Sequence, residues 1–178
     1  MKARIMIAAL SLSAAGLVGI VAHEGYVDTA MQPLPGDKLT IGFGSTTRSD
    51  GSPVQPGDKT TPTKALQQAA RSIEVKESAL KRCFVGIKLY QHEYDAYVSL
   101  SYNVGADKVC KSTIPQKLAA LDYEAACRTI LDFDGFRDRT KPKVLNPRTN
   151  KWEHPLVKVR GLATRRQAEY RQCLGERP

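Results

Sequence analysis

The sequence has few of the residues that enzymes use with metals or nucleotide cofactors. Its three histidines, His23, His92 and His154, have no spacing typical of metal ligands. It contains no serine nucleophile elbow, no phosphate-binding P-loop and no glycine fingerprint for a dinucleotide. We therefore expect no metal and no cofactor, and we look for chemistry that carboxylates can perform alone.

Internal repeats and low-complexity linkers are also missing from the 178 residues. Hydrophobic residues make up 42% of the chain and charged residues 25%, a balance typical of a globular protein rather than a disordered one. This length can form one ordinary domain or two small lobes. We expect the protein to be a monomer.

Acidic side chains are scarce relative to basic ones, with 18 against 27, and the formal net charge is +9. Such an excess attracts anionic polymers, namely nucleic acid, anionic lipid or the bacterial cell wall. The basic stretch around Trp152 is compatible with nucleic-acid binding. The export signal described next argues against it, so we expect no nucleic-acid partner.

The first 22 residues indicate export. Lys2 and Arg4 precede eighteen uncharged residues, 5–22, half of which are Ala, Gly or Ser. A basic region followed by an apolar run is typical of an export signal. Eighteen residues lie near the lower limit for a helix that spans a bilayer. The segment could be a cleaved signal peptide, a stable anchor or a weakly held anchor, and each takes the chain out of the cytoplasm.

The number and position of the cysteines are typical of a protein in an oxidising compartment. Their number is even and all follow the apolar segment; they are Cys83, Cys110, Cys127 and Cys173. Their spacings match no zinc-binding pattern, so we expect two disulfides. Three pairings are possible from the sequence.

The remaining chain has the pattern of an α+β fold. Leu39, Ile41 and Phe43 alternate with polar or glycine residues, which predicts a short strand, and residues 36–61 form a small β-rich lobe. A Thr–Pro start and the face formed by Leu66, Ala69, Ile73 and Leu80 predict a long helix ending near residue 83.

Further helices are predicted after the long one. They cover residues 91–105 and 161–174, with two short helices between residues 112 and 133, and residues 24–29 could end or continue a helix that begins in the apolar segment. The basic, aperiodic stretch 135–159 is predicted to be a loop, which could contact anionic components of the wall or outer membrane. We expect two lobes joined by the long helix, with a ligand cleft between them.

Glu24 is the first candidate for catalysis. It precedes a break rich in Pro and Gly and can lie at the junction of the two lobes, although a solvated charge is the simpler alternative. Most glycoside hydrolysis needs a second carboxylate. Asp28 would follow Glu24 by one helical turn, and Asp37 lies in the turn before the strand. Thr40 could hold a water or a sugar hydroxyl.

The motifs "HEGY", "TIGFG", "YDAYVSLSYNVG" and "GLATRRQAE" resemble, in this order, those of the phage-type lysozymes of glycoside hydrolase family 24. The resemblance covers most of residues 23–174. It implies a two-lobed lysozyme fold and hydrolysis of the β-1,4 bond between N-acetylmuramic acid and N-acetylglucosamine in peptidoglycan. It assigns the general acid to Glu24 and the cleft threonine to Thr40. It also implies that Arg165 lies in the substrate-binding cleft beside Glu24 and orients it.

The sequence departs from this family at the second carboxylate. The family has Asp or Cys nine residues after the glutamate, whereas this chain has Pro33 there, followed by Leu34, and its segment is one residue longer. Asp37 is our candidate for the missing group because it lies in the same loop, close to Thr40, and Asp28 is the second choice.

The N-terminus resembles that of the signal-arrest-release endolysins of this family. The resemblance implies that residues 1–22 form an uncleaved signal-anchor and residues 23–178 the catalytic domain. It also implies that the enzyme waits at the inner membrane of the host and is then released into the periplasm. The segment contains no cysteine, so a thiol trigger is not expected, and refolding around Glu24 is the preferred means of activation.

For the disulfides we favour Cys110–Cys127, which would join neighbouring short helices, and Cys83–Cys173, which would tie the long helix to the last one. The main functional hypothesis is an exported muramidase that lyses the host cell. The alternatives are a non-catalytic exported wall-binding protein and a lytic transglycosylase.

Overall fold

The computed structural model describes residues 3–33, 36–147 and 150–176, so that Lys2 and Leu34 lie outside the described residues. Short strands and helices form a small β lobe and a larger helical lobe, which confirms the predicted α+β class. The hydrophobic core lies in the helical lobe, around a central helix.

The apolar N-terminal segment is folded into the protein. Strand β1 (Ile5–Met6) pairs with β4 (Lys88–Leu89), a turn of 3₁₀ helix follows, and α1 spans Ala14–Glu24. Ile7, Leu10 and Ile20 are between 1% and 3% exposed and belong to the core. Among the described residues, no helix has both the length and the apolar character needed to cross a membrane.

Polar contacts also bind this segment to the helical lobe. The guanidinium of Arg4 donates to Glu93 at 2.7 Å and lies over the rings of Tyr90 and Tyr123. Further along, the Leu12 amide donates to Glu77 at 2.8 Å, and the Ser13 amide and hydroxyl both donate to Asp95. Three carboxylates of the lobe therefore accept hydrogen bonds from the segment.

The small β lobe is built on one hairpin. Strand β2 (Val27–Met31) is antiparallel to β3 (Thr40–Gly42), with Val27 opposite Gly42 and Met31 opposite Thr40. Isolated bridges such as Thr29 to Lys59 tie the following turns to this hairpin. The lobe thus begins about ten residues before the predicted start at residue 36.

The long helix α2 spans Pro62–Cys83, as predicted. Thr61 caps it by accepting from the Lys64 amide. Pro62 lies in the first turn, where a backbone N–H would have no partner within the helix, so the missing N–H of proline costs nothing. Its buried face differs from the prediction at one place, because Leu66 is 41% exposed and Ala65 is buried instead. Position 65 continues the four-residue spacing of Ala69 and Ile73, whereas position 66 is rotated away from that face.

The helical lobe surrounds α3 (Gln91–Val104), which ends at Gly105 as predicted. Residues 94–101 of α3 are buried in succession, so the helix is enclosed on all sides. Around it lie the short helices α4 (Ala106–Cys110), α5 (Ile114–Ala119) and α6 (Tyr123–Arg128), then a 3₁₀ helix over Thr129–Phe133, and finally α7 (Arg160–Cys173). Helix α7 packs along α3 and brings its own polar residues into the core.

The prediction of a loop over residues 135–159 was wrong. Strand β5 (Gly135–Arg137) pairs with β8 (Leu156–Lys158), and β6 (Val144–Asn146) pairs with β7 (Lys151–Glu153), both antiparallel. Each strand has three residues, which is too short to show a period in the sequence.

The favoured disulfide pairing was also wrong. The bonds are Cys83–Cys110 and Cys127–Cys173, each with Cα atoms 5.7 Å apart. The pairing follows the packing of the helices: the end of α2 lies against α4, and α6 lies against α7. The expectation of two disulfides is confirmed.

Candidate active site

Glu24 is the last residue of α1, at the point where the chain passes from the helical lobe into the β hairpin. Gly25 follows with φ +68°, a conformation that ends the helix and that glycine adopts without strain. The Glu24 side chain is 18% exposed, and its Oε1 accepts a hydrogen bond from Arg165 Nη1 at 2.6 Å. The carboxylate is therefore partly buried and fixed in direction by a charged donor.

Arg165 is itself held by a buried network on α7 and α3. Its Nε donates to Glu169 Oε1 at 3.1 Å, one helical turn further along α7. Ser99 of α3 donates to the same oxygen at 2.8 Å, and Arg166 donates to it at 3.0 Å. Arg166 is fully buried and Glu169 is 2% exposed, so the network is shielded from water.

We call Glu24, Arg165, Arg166, Glu169 and Ser99 the ionic cluster. Within it, two arginines face two glutamates, so the formal charges balance in a region of low polarity. The prediction that Arg165 lies beside Glu24 is confirmed. Arg165 has only 8% of its side chain exposed, and its hydrogen bonds go to the two glutamates.

The open side of Glu24 faces the β lobe. A Cβ built on Gly44 would lie 3.3 Å from Glu24 Oε2, and Gly44 has φ +76°, so a side chain here would be strained and would crowd the carboxylate. Nearby, the Tyr102 hydroxyl donates to the carbonyl of Phe43 at 3.0 Å. This bond ties the end of α3 to the turn that carries Gly44.

The charge of Glu24 affects the pKa of two further groups. Burial raises the pKa of Tyr102 to about 12, and the negative charge of Glu24 acts in the same direction. Burial lowers the pKa of Lys76, and Glu24 opposes that shift. Lys76 Nζ lies 5.0 Å from the centre of the Tyr102 ring and donates to Ser72. The wall of the site around Glu24 is thus formed by α2, α3 and α7 together.

Thr40 and Asp37 lie further along the hairpin, away from Glu24. Thr40 is half-buried, and its hydroxyl is 3.4 Å from the carbonyl of Met31, its partner across the hairpin. Asp37 is exposed in the connecting loop, where its backbone carbonyl accepts from Gln32 Nε2 at 2.7 Å. At about 3.3 Å per residue, β2 places this loop roughly 13 Å beyond the Glu24 end of the hairpin.

The expectation that Asp28 shares a helix face with Glu24 was wrong. The helix ends at Glu24, and Asp28 lies in β2, where it is exposed and accepts a hydrogen bond from Thr29. The Gly25 break redirects the chain before Asp28 can complete a helical turn.

Several residues around Glu24 were not singled out from the sequence. Glu169 and Ser99 complete the ionic cluster, and Tyr102 and Lys76 form part of the wall. Glu169 could have been found, because it lies four residues after Arg165 in the "GLATRRQAE" motif and a Glu at that spacing pairs with Arg on a helix. No sequence motif points to Lys76, because its distance from Glu24 depends on how α2 packs against the other helices.

The fold and the site together define a two-lobed glycoside hydrolase of the lysozyme type, with a glutamate held at the junction of the lobes. Residues 21–169 match the family model described as phage lysozyme. The chain belongs to this family, and its activity is that of a lysozyme. The predicted family, fold class and enzyme class are therefore confirmed.

Individual relatives also support this family assignment. The chain is 32% identical to an endolysin of Acyrthosiphon pisum secondary endosymbiont phage 1, over 90% of this chain and 95% of that protein. It is 29% identical to a SAR-endolysin of Haemophilus phage HP1, over 88% of this chain and 77% of that protein. The solved structure of an endolysin from Escherichia coli O157:H7 phage FAHEc1 superposes with a TM-score of 0.79 at 26% identity and covers 93% of this chain and 94% of its own.

Proposed function

We propose that this muramidase hydrolyses the β-1,4 bond between N-acetylmuramic acid and N-acetylglucosamine, with Glu24 as the general acid. The observation that carries this proposal is the placement of Glu24. One carboxylate oxygen is held by Arg165, and the other faces Gly44 on the open side. When Glu24 is protonated on that oxygen, it can donate the proton to a glycosidic oxygen bound between the lobes.

In this proposal, Thr40 and Asp37 hold the attacking water on the opposite face of the sugar. Both lie on the same hairpin, three residues apart, and both are accessible to solvent. Inverting glycosidases separate the acid and the base by several ångströms so that a water fits between them. We therefore assign the attacking water to the space between Glu24 and the connecting loop of the hairpin.

The experiment is an analysis of the fragments that the enzyme releases from purified peptidoglycan. Mass spectrometry should find muropeptides that end in a reducing N-acetylmuramic acid, and Glu24→Gln should release none. Fragments with a 1,6-anhydro end would replace this proposal with a lytic transglycosylase. Binding to peptidoglycan without any release would replace it with a wall-binding protein.

We further propose that residues 5–22 first take the chain to the inner membrane of the host and later leave the bilayer uncleaved, so that the enzyme acts in the periplasm. The burial of Ile7, Leu10 and Ile20 supports retention, because cleavage after residue 22 would remove three core side chains. Each such side chain contributes about 1.5–3 kcal/mol when fully buried. Three carboxylates of the lobe would also lose the hydrogen bonds that they accept from this segment.

Val18 and Ile20 offer a matched test of the released state. Both lie in the apolar run, but Val18 is 64% exposed in the folded protein and Ile20 is 1% exposed. We expect Ile20→Ala to lower the free energy of unfolding of the soluble enzyme by about 2–5 kcal/mol, and Val18→Ala to change it by less than about 0.5 kcal/mol. Equal effects would contradict the proposed packing.

The intact mass of the soluble protein tests retention directly. A mass that includes residues 5–22 is the expected result. A mass that corresponds to a start after residue 22 would refute the retention of residues 5–22. It would not bear on the proposed cleavage of the glycosidic bond.

A further inference from the structure

The two β ribbons between residues 135 and 158 carry a feature that the proposed chemistry does not use. This stretch contains seven lysines and arginines and two carboxylates in the sequence, a formal charge of +5 out of the +9 of the whole chain. The strand pairs β5–β8 and β6–β7 hold it in a defined shape. Asp138 adds a bond from its amide to the Pro155 carbonyl. Six of the seven basic residues therefore lie on or beside the paired strands, and Arg148 lies outside the described residues.

Large apolar side chains are exposed on the same ribbons. Trp152 is 68% exposed and lies directly across the β6–β7 hairpin from Leu145, which is 48% exposed. Cross-strand neighbours project to the same side of a hairpin, so these two side chains form one apolar patch. Phe136 and Leu156 are also about half exposed. Phe136, Leu145 and Leu156 line an open cavity of about 850 Å³ between the ribbons and the helical lobe.

The cations of the ribbons fall into two groups. Arg137, Lys141 and Lys158 each pair with a carboxylate, namely Glu153, Asp138 and Asp134. Arg139, Lys143 and Lys151 form no ion pair within residues 3–33, 36–147 and 150–176. Lys151 is adjacent to Trp152, and Lys143 lies two residues before Leu145. Lys143 and Lys151 are therefore close along the chain to the two residues of the apolar patch.

We propose that Trp152, Leu145, Arg139, Lys143 and Lys151, which we call the ribbon surface, bind the face of an anionic phospholipid bilayer. Tryptophan is favoured at the depth of lipid headgroups, because its ring is apolar and its N–H is polar. Lysine and arginine around it attract the phosphates of anionic lipids. Leu145 and Arg139 also line the cavity between the ribbons and the helical lobe, whereas Trp152 lies outside it.

The proposal extends beyond cleavage of the glycan and does not depend on it. It places the released enzyme next to the membrane through a peripheral contact that is separate from residues 5–22. Ile7, Leu10 and Ile20 of that segment are buried in the core of the folded protein and are not free to enter lipid.

Trp152 provides the probe, because it is the single tryptophan of the sequence. The folded, soluble full-length protein is titrated with vesicles of phosphatidylcholine and phosphatidylglycerol in a 3:1 ratio, and with vesicles of phosphatidylcholine alone. We expect a blue shift of tryptophan emission with the anionic vesicles only, and a loss of the shift as salt is raised. Insertion of residues 5–22 alone would not bring Trp152 into lipid and would not produce this shift.

The variant Arg139→Gln/Lys143→Gln/Lys151→Gln should bind the anionic vesicles about 100-fold more weakly, given the usual gain per basic residue near such a surface. The matched control is Arg71→Gln/Arg82→Gln/Lys88→Gln, which removes the same charge from exposed positions outside the ribbons. We expect the control to keep most of its binding and both variants to keep their melting temperatures and their activity on soluble peptidoglycan fragments.

Two results would overturn the proposal. One is the absence of a blue shift of tryptophan emission with anionic vesicles. This holds also if purified peptidoglycan produces the blue shift instead. The other is an equal loss of binding in the two triple variants, which would attribute the attraction to net charge rather than to this surface. In a sedimentation assay, Trp152→Ser should also weaken vesicle binding while the protein stays folded.

Discussion

The two sides of the active site are built in opposite ways. On the helical side, Glu24 belongs to a buried cluster in which every charge faces an opposite charge at 3.1 Å or less. On the hairpin side, Asp37 is exposed, and Thr40 makes one long hydrogen bond to the backbone. The helical half of the candidate site is therefore held by buried ion pairs, whereas the hairpin half is in contact with solvent.

Glu24→Gln tests the fixed side at its most sensitive point. The amide keeps the shape of the side chain but cannot donate a proton as a carboxylic acid does, so we expect the rate to fall by about 10²- to 10⁴-fold. The measurement is the clearing of chloroform-treated Gram-negative cells, with a circular dichroism spectrum to show that the variant is folded. Activity within tenfold of the unmodified enzyme would remove Glu24 from the role of general acid.

Glu169→Gln tests whether the fixed side depends on its buried charges. The change leaves Arg165 and Arg166 in a buried site with one negative charge fewer. Breaking such a pair costs about 3–5 kcal/mol, which urea unfolding measures. Because Arg165 is then held less firmly against Glu24, we also expect a lower kcat with little change in KM.

Ser99→Ala is the mild version of the same test. It removes one neutral donor to Glu169 and should cost about 1 kcal/mol. If Glu169→Gln were no more destabilising than Ser99→Ala, the charges of the cluster would not be what holds it together.

Thr40→Val tests the solvated side without changing the size of the side chain. If the hydroxyl holds the attacking water, its loss should slow the reaction by about 10- to 100-fold, which corresponds to one polar contact left unmade. Because the present hydrogen bond of Thr40 is long, we expect the free energy of unfolding to change by less than about 1 kcal/mol. A loss of stability comparable to that of Glu169→Gln would mean that Thr40 has a structural role instead.

Asp37→Asn should have the smallest effect among the proposed catalytic residues. An exposed carboxylate is well solvated and water can replace part of its contact, so we expect a decrease of about tenfold in rate. Asp28→Asn is the matched control, because Asp28 is an exposed aspartate of the same hairpin whose carboxylate bonds the adjacent Thr29. Equal rates for the two variants would remove Asp37 from the mechanism.

The same contrast explains what could be predicted from the sequence. The helix 62–83 was predictable because it has a Thr cap, a Pro in its first turn and a periodic apolar face. The helix 91–104 was predictable at its end, where Gly105 follows it. Glu24 and Arg165 were found through motifs, and the structure brings them together at 2.6 Å. These features are encoded within one element or in short motifs around the residues concerned.

The remaining features depend on packing between elements. The strands 135–137 and 156–158 pair across about twenty residues, and three-residue strands have no detectable period. The disulfides follow which helices touch, and spacing along the chain does not reveal that. Ala65 is buried where Leu66 was predicted to be, so a predicted face can be wrong at one position, about 100° around the axis, although the helix itself is correct.

The disulfides have a consequence for the order of assembly. Both bonds lie between residues 83 and 173, and the first 82 residues contain no cysteine. Both disulfides of the helical lobe can therefore form before the N-terminal residues have packed against that lobe. No covalent bond has to break for Glu24 to arrive or to depart, so the residue that we propose as the general acid can be added last and reversibly.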